Sequence, residues 1–174
     1  MLMKNNKNIF LYLTLIFFSL IQGLVANEFD ISALNIKLLQ DSKTIQAEGN
    51  VLIVGEDGII IESESATYDK KENFIKAKKS VKITDRKTNN ELESDKIQYS
   101  KKEEEILAEG NVFFKGSEGV TIETEIALYD KRNQIIKSDQ LTKVNDGYGN
   151  SILLDMFNYS IKNKIGRASC RERV

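Results

Sequence analysis

From Ile45 to Val144, apolar and polar residues alternate in long runs broken at regular intervals by short polar clusters. Ile45, Ala47, Gly49, Val51 and Ile53 occupy every second position. So do Ile75, Ala77, Val81 and Ile83 (with Lys79 intruding), Ile106, Ala108, Gly110, Val112 and Phe114, and then Ile136, Ser138, Thr142 and Val144. A period of two marks a half-buried strand, and at ~3.3 Å per residue each run spans roughly 30 Å. A second kind of run lies between these. Ile61, Ser63, Ala66 and Tyr68 sit at offsets 0, 2, 5 and 7, and the same offsets hold for Leu92, Ser94, Ile97 and Tyr99, for Ile122, Thr124, Ala127 and Tyr129, and for Ile152, Leu154, Phe157 and Tyr159. A one-residue slip in a strand sends the later side chains to the opposite face, so this flip predicts a bulge or a corner. An acid stands at each flip, namely Glu64, Asp95, Glu125 and Asp155. It reads as a polar group covering bent, partly exposed backbone.

The two kinds of run form a repeating unit. "AEGNVLIVGEDG" begins at Ala47 and "AEGNVFFKGSEG" at Ala108, sixty-one residues later, and Tyr68, Tyr99, Tyr129 and Tyr159 divide that spacing into units of about thirty. A degenerate first copy, "ISALNIKLLQ", puts Leu34 at the acid position and Leu38 at the tyrosine position. The joints are turn chemistry. "YDKKEN", "YSKKEE" and "YDKRNQ" offer an Asp or Ser to cap the turn, whereas "GEDG", "GSEG" and "NDGYGN" offer glycines for positive backbone angles. The repeated tyrosine reads as a rim or core packing residue. No run has a helical period and there is no proline. The expected fold is all-β, with stacked antiparallel strands in a twisted, partly open jelly roll or solenoid-like sandwich.

Composition narrows the chemistry. The chain holds 25 basic and 26 acidic residues, mixed along its length. That balance argues against nucleic acid or an anionic membrane surface as the main partner. With no histidine, Ser-His-Asp and Cys-His triads and His-metal sites are excluded. The glycines lie between strand-like runs and not ahead of a helix, so no phosphate-cradling loop is present. The abundant carboxylates read as solvated faces. The sequence therefore points away from an enzyme, and it calls for no metal and no cofactor.

The two ends differ from this middle. Residues 1–26 have the parts of an export signal: Lys4 and Lys7, an uncharged apolar run from Ile9 to Ile21, and a Leu24-Val25-Ala26 end. Cleavage after Ala26 is expected, and an uncleaved single-span anchor is the alternative. Residues 165–174, "IGRASCRERV", bring three arginines and the single cysteine into a chain otherwise rich in Lys, Asn and Ile. They resemble the in-frame translation of a common sequencing adapter, and read-through at the end of a DNA fragment is the expectation. The expectation is one domain over 27–164, cut short in its last unit, with the natural protein continuing beyond Lys164.

The unit "I-x-[ST]-[DE]-x-[AI]-x-Y-[DS]-K" followed by "I-x-A-x-G-N-V" resembles the OstA-like domain of the bacterial lipopolysaccharide transport proteins, over essentially all of Asn27–Lys164. That family includes the periplasmic bridge LptA, the N-terminal domain of the outer-membrane assembly protein LptD, and the ectodomain of LptC. The resemblance implies a V-shaped β-jelly roll with an apolar groove for lipopolysaccharide acyl chains. It also implies docking to other jelly-roll Lpt proteins by edge-strand pairing, in the periplasm. The residues that would line the groove are Val51, Ile53, Ile61, Ile75, Val81, Ile83, Leu92, Ile106, Val112, Phe114, Ile122, Ile136 and Val144. Small residues at Ala47, Gly49, Ala108 and Gly110 would leave room for acyl chains. Continuation beyond Lys164 favours the N-terminal part of LptD, with its outer-membrane barrel in cis. An LptA-like bridge comes second, and LptC, which needs the uncleaved anchor, third. From another class, a structural β-repeat surface module would show the same alternation without a groove.

Overall fold

The computed structural model describes residues 29–39 and 43–162 together with the backbone of 165–169. Thirteen strands make one antiparallel sheet: β1 (Phe29–Ser32), β2 (Asn35–Leu38), β3 (Thr44–Gly55), β4 (Ile59–Asp69), β5 (Phe74–Asp85), β6 (Asn90–Ser100), β7 (Glu105–Lys115), β8 (Thr121–Asp130), β9 (Ile135–Ser138), β10 (Thr142–Asn145), β11 (Ser151–Leu154), β12 (Met156–Ser160) and β13 (Ile165–Ser169). The described residues contain no helix. Strands β3 to β8 pair in sequence order, as hairpin-linked neighbours do.

Each of these six long strands turns a corner midway. The corners align into a crease that folds the sheet into two layers. Beside the glycine turns, β1, the later half of β3, the earlier half of β4 and their successors through β10 and β11 form the first layer. The other halves, with β2, β9, β12 and β13, form the second. Towards both ends of the sheet the strands are broken at the crease: β1 from β2 at Ala33–Leu34, β9 from β10 at Asp139–Leu141, and β11 from β12 at Asp155.

The parity flip is the corner of the even strands, but the extra residue stands across the ladder. Between Glu48 and Val51, β3 advances one residue more than β4, and β5 and β7 do the same at Lys78–Val81 and Glu109–Val112. Two consecutive left-handed residues form each bulge: Gly49 and Asn50 (φ 79° and 48°), Lys79 and Ser80 (67° and 50°), and Gly110 and Asn111 (79° and 47°). The paired kink returns the odd strand to its original parity, which hides the insertion from a period-two reading. Lys79 therefore does not intrude on the inner face. It lies in the bulge, exposed, with its Nζ 3.8 Å from Glu64.

At two of the flips the residue covers the bulge beside it. Asp95 lies over Gly110 and accepts a hydrogen bond from Asn111 Nδ2 at 2.9 Å, and Leu34 of the first copy lies over Gly49. Gly49 and Gly110 thus make room for these outward side chains and not for acyl chains. A methyl group on Gly110 would stand 2.5 Å from Asp95 Oδ2, in a backbone conformation costly for any residue with a Cβ. Gly110→Ala is expected to lower stability by about 2 kcal/mol in urea titrations. Gly149→Ala, at φ 100° with open space around it, should cost only about 1 kcal/mol.

The turns follow the expected chemistry. Asp69 and Asp130 cap theirs through Oδ1, accepting from Glu72 N at 3.1 Å and Asn133 N at 2.9 Å, and Ser100 Oγ takes the weaker equivalent from Glu103 N at 3.4 Å. The second-layer turns also stack. The amides of Lys70, Lys101, Lys131 and Ile161 donate to the carbonyls of Lys43, Asn73, Glu104 and Gln134 in the turn before, at 2.8–3.0 Å.

The segment 1–26 lies outside the described residues, as do 163–164 and 170–174. Ile165–Ser169 runs antiparallel to β12 through backbone pairing, which requires no particular side chain.

Candidate functional site

The two layers enclose a continuous apolar interior, and the ladder register arranges its side chains in rows. Nearest the crease, the second layer presents Ala47, Ala66, Ala77, Ile97, Ala108 and Ala127. One row further out, towards the free rim of the fold, come Ile45, Tyr68, Ile75, Tyr99, Ile106, Tyr129, Ile136 and Tyr159. The first layer faces them with Val51, Val81 and Val112 beside the crease, then Ile53, Ile61, Ile83, Leu92, Phe114 and Ile122. Mostly small residues at the crease and large ones at the rim fill a wedge. Ala47 and Ala108 are buried where the layers converge, so their size serves that convergence.

All thirteen residues singled out from the sequence border this interior. Twelve are 2% exposed or less, and Val144, near the last edge, is partly buried against the same core. A cleft of about 400 Å³, lined by Leu107, Ile126, Leu128 and Met156 among others, opens on the outer side of the second layer near the crease.

The crease carries hydroxyls on its inner side. Ser63 Oγ donates to Ser65 O at 3.2 Å, and Ser94 Oγ to Lys96 O at 3.0 Å. These are carbonyls at the corner, beside the interrupted ladder, so the buried hydroxyls satisfy bent backbone. In the last unit Thr124, Ser138 and Thr142 form a linked hydroxyl cluster at the same level.

Opposite the crease, the rims of the layers meet at a mouth. Phe29 of β1 packs edge-on against Tyr68 and Tyr99, with ring centres 5.1 and 6.0 Å apart, and Phe114 lies 5.9 Å from Tyr129. Polar contacts reinforce these. Asp57, in the β3–β4 turn of the first layer, accepts a short hydrogen bond from the Tyr99 hydroxyl and pairs with Lys131 Nζ at 2.7 Å, both from the second. Tyr129 OH reaches Asp85 Oδ2 at 3.5 Å and receives Asn90 Nδ2 at 3.4 Å. Burial raises the Asp57 pKa, but the Lys131 and Tyr99 hydrogen bonds and the lysine charge outweigh it and leave the carboxyl below its ordinary value. Burial, with Asp57 next, pushes the Tyr99 hydroxyl far up, so it remains a donor.

The tyrosines were legible as packing residues, but Phe29, Asp57, Asp85, Asn90 and Lys131 were not. Asp57 reads locally as a turn residue, and its lysine lies 74 positions away. Among the described residues, no group of His, Cys, Asp and Glu could hold a metal ion, and no helix is long and apolar enough to cross a membrane.

A creased antiparallel sheet closed over an apolar wedge is a β-jelly roll of the LptA kind. No family model and no curated protein matches the chain. Among solved structures it is similar to LptH of Pseudomonas aeruginosa, described as the LptA-homologous periplasmic component of the conserved lipopolysaccharide transport device. The TM-score is 0.59 at 14% identity, covering 74% of this chain and 98% of that one. At that identity the likeness is one of fold.

Proposed function

We propose that this chain is a periplasmic carrier domain that holds the acyl chains of lipopolysaccharide between its two layers on the way to the outer membrane. The observation that carries the reading is the wedge itself, a continuous apolar interior spanning the chain's units and closed by contacts along a single mouth. The LptA-like fold and the export-signal pattern of residues 1–26 support the same role. Within the class, we assign the chain to the N-terminal part of an LptD-like protein, on the expectation that the gene continues beyond codon 164. A standalone LptA-like bridge is the second reading, favoured by the likeness to LptH.

A photo-crosslinking residue placed at Phe114 or Ile83, both buried in the wedge, is expected to capture lipopolysaccharide in cells. The same residue at Leu52, which is 38% exposed on the outer face, should not. Absence of adducts at every inward position would overturn the carrier reading. Sequencing past codon 164 separates the two assignments: several hundred further codons of alternating strands indicate LptD, and a stop within a few dozen indicates the bridge.

A further inference from the structure

The Asp57–Lys131 pair is the most buried ion pair among the described residues. Its side chains are 19% and 9% exposed, and the next, Lys82–Glu91, stands at 39% and 40%. Two well-packed apolar residues would close the mouth at least as well as a desolvated ion pair. What the pair adds is charge at the line where the apolar interior meets water. The stacked turns place Lys70, Lys101 and Lys131 at equivalent positions along this rim, roughly 10 Å apart at two strand spacings. Two of the three turn in over the mouth: Lys101 Nζ lies 4.9 Å from the centre of the Phe29 ring and Lys131 Nζ 5.6 Å from that of Tyr99. The second basic residue of each turn is engaged by acids of the turns, Lys102 by Glu72 at 2.9 Å and Arg132 by Glu104 at 3.6 Å.

We propose that Lys131 recognises the anionic headgroup of an acylated lipid, a phosphate group taking the place of the Asp57 carboxylate as the acyl chains part the two layers. The inference rests on the carrier reading above. A phosphate offers Lys131 the same charge-assisted hydrogen bond as the carboxylate, with more acceptor oxygens and with Lys101 on the neighbouring turn. Acyl chains in the wedge would place that phosphate at the mouth. Asp57 acts as a built-in competitor: with no lipid it neutralises Lys131 and holds the mouth shut, and when displaced it turns to water. Free phosphate brings no acyl chains to cover the apolar surface that opening the layers would expose to water.

The test measures binding of the purified protein to three probes: an acylated glucosamine disaccharide carrying phosphates, the same lipid dephosphorylated, and inorganic phosphate. The wild type should favour the phosphorylated lipid by about tenfold, the size of one charge-assisted hydrogen bond. Lys131→Gln should bring that ratio close to one and Lys131→Arg should keep it. Asp57→Asn should tighten binding of the phosphorylated lipid by about tenfold by removing the competitor. A ratio unchanged in a cooperatively folded Lys131→Gln overturns the inference. If that variant does not fold, Asp57→Asn decides, because unchanged or weaker binding of the phosphorylated lipid overturns it as well. Lys131-dependent binding of inorganic phosphate alone would assign the site to the free ion and overturn the lipid headgroup. Lipid binding indifferent to phosphate defeats this inference alone, whereas no binding of either lipid by the wild type defeats the carrier reading with it.

Discussion

Phe114→Ala is expected to lower the free energy of unfolding by about 3–5 kcal/mol, read as a fall in the urea midpoint with little change in slope. The side chain is fully buried in the first layer, opposite Leu92 on one neighbouring strand and Ile122 on the other, and its ring meets Tyr129 across the interior. Three features make the cost large. The removed group is aromatic, its neighbours sit on strands fixed by their own ladders, and it joins the two layers near the mouth. Phe113, the adjacent residue on the outer face, is the comparison: its truncation removes less buried surface and should cost about 1 kcal/mol. Equal losses at the two positions would show that the layers do not pack on each other as described.

Asp57→Ala is expected to cost about 2–3 kcal/mol near neutral pH, because it strands the Lys131 ammonium and the Tyr99 hydroxyl in a partly buried site. The effect depends on pH with a definite sign. The folded-state pKa of Asp57 is depressed, so its contribution is complete above the unfolded pKa and is lost as pH falls through the folded one. Wild type and variant should therefore converge in stability in acid and separate as pH rises from the depressed folded value to the ordinary carboxylate range. A gap that stays constant across that range would show that the carboxylate charge does not hold the mouth.

The long strands and the inner rows were legible in the sequence because period-two alternation is a local record of which side faces water. The repeated tyrosine and the paired turns gave the unit length. The corner was legible only in part. The parity flip at Glu64 and Asp95 signalled a corner, yet the inserted residues at Gly49–Asn50 and Gly110–Asn111 sit on the strands that looked regular. A bulge of two left-handed residues leaves alternation intact on either side, so only backbone angles reveal it. The mouth was not legible at all. Asp57, Asp85, Asn90 and Lys131 lie in or beside polar turns in which charge is ordinary, and their meeting follows from folding the sheet along its crease. Phe29 was likewise hidden, standing alone at the start of an irregular copy whose tyrosine position, Leu38, is exposed.

Because every corner falls at the same level of its strand, the sheet behaves as a linear ruler. Each thirty-residue unit adds two strands, and so extends the trough by roughly 9.5 Å along the crease without altering its cross-section. Length along that axis is therefore set by the number of whole units, while the width of the interior is fixed by the mostly alanine row at the crease and the tyrosine row at the rim. A chain of this design can lengthen by duplication and keep the same bore.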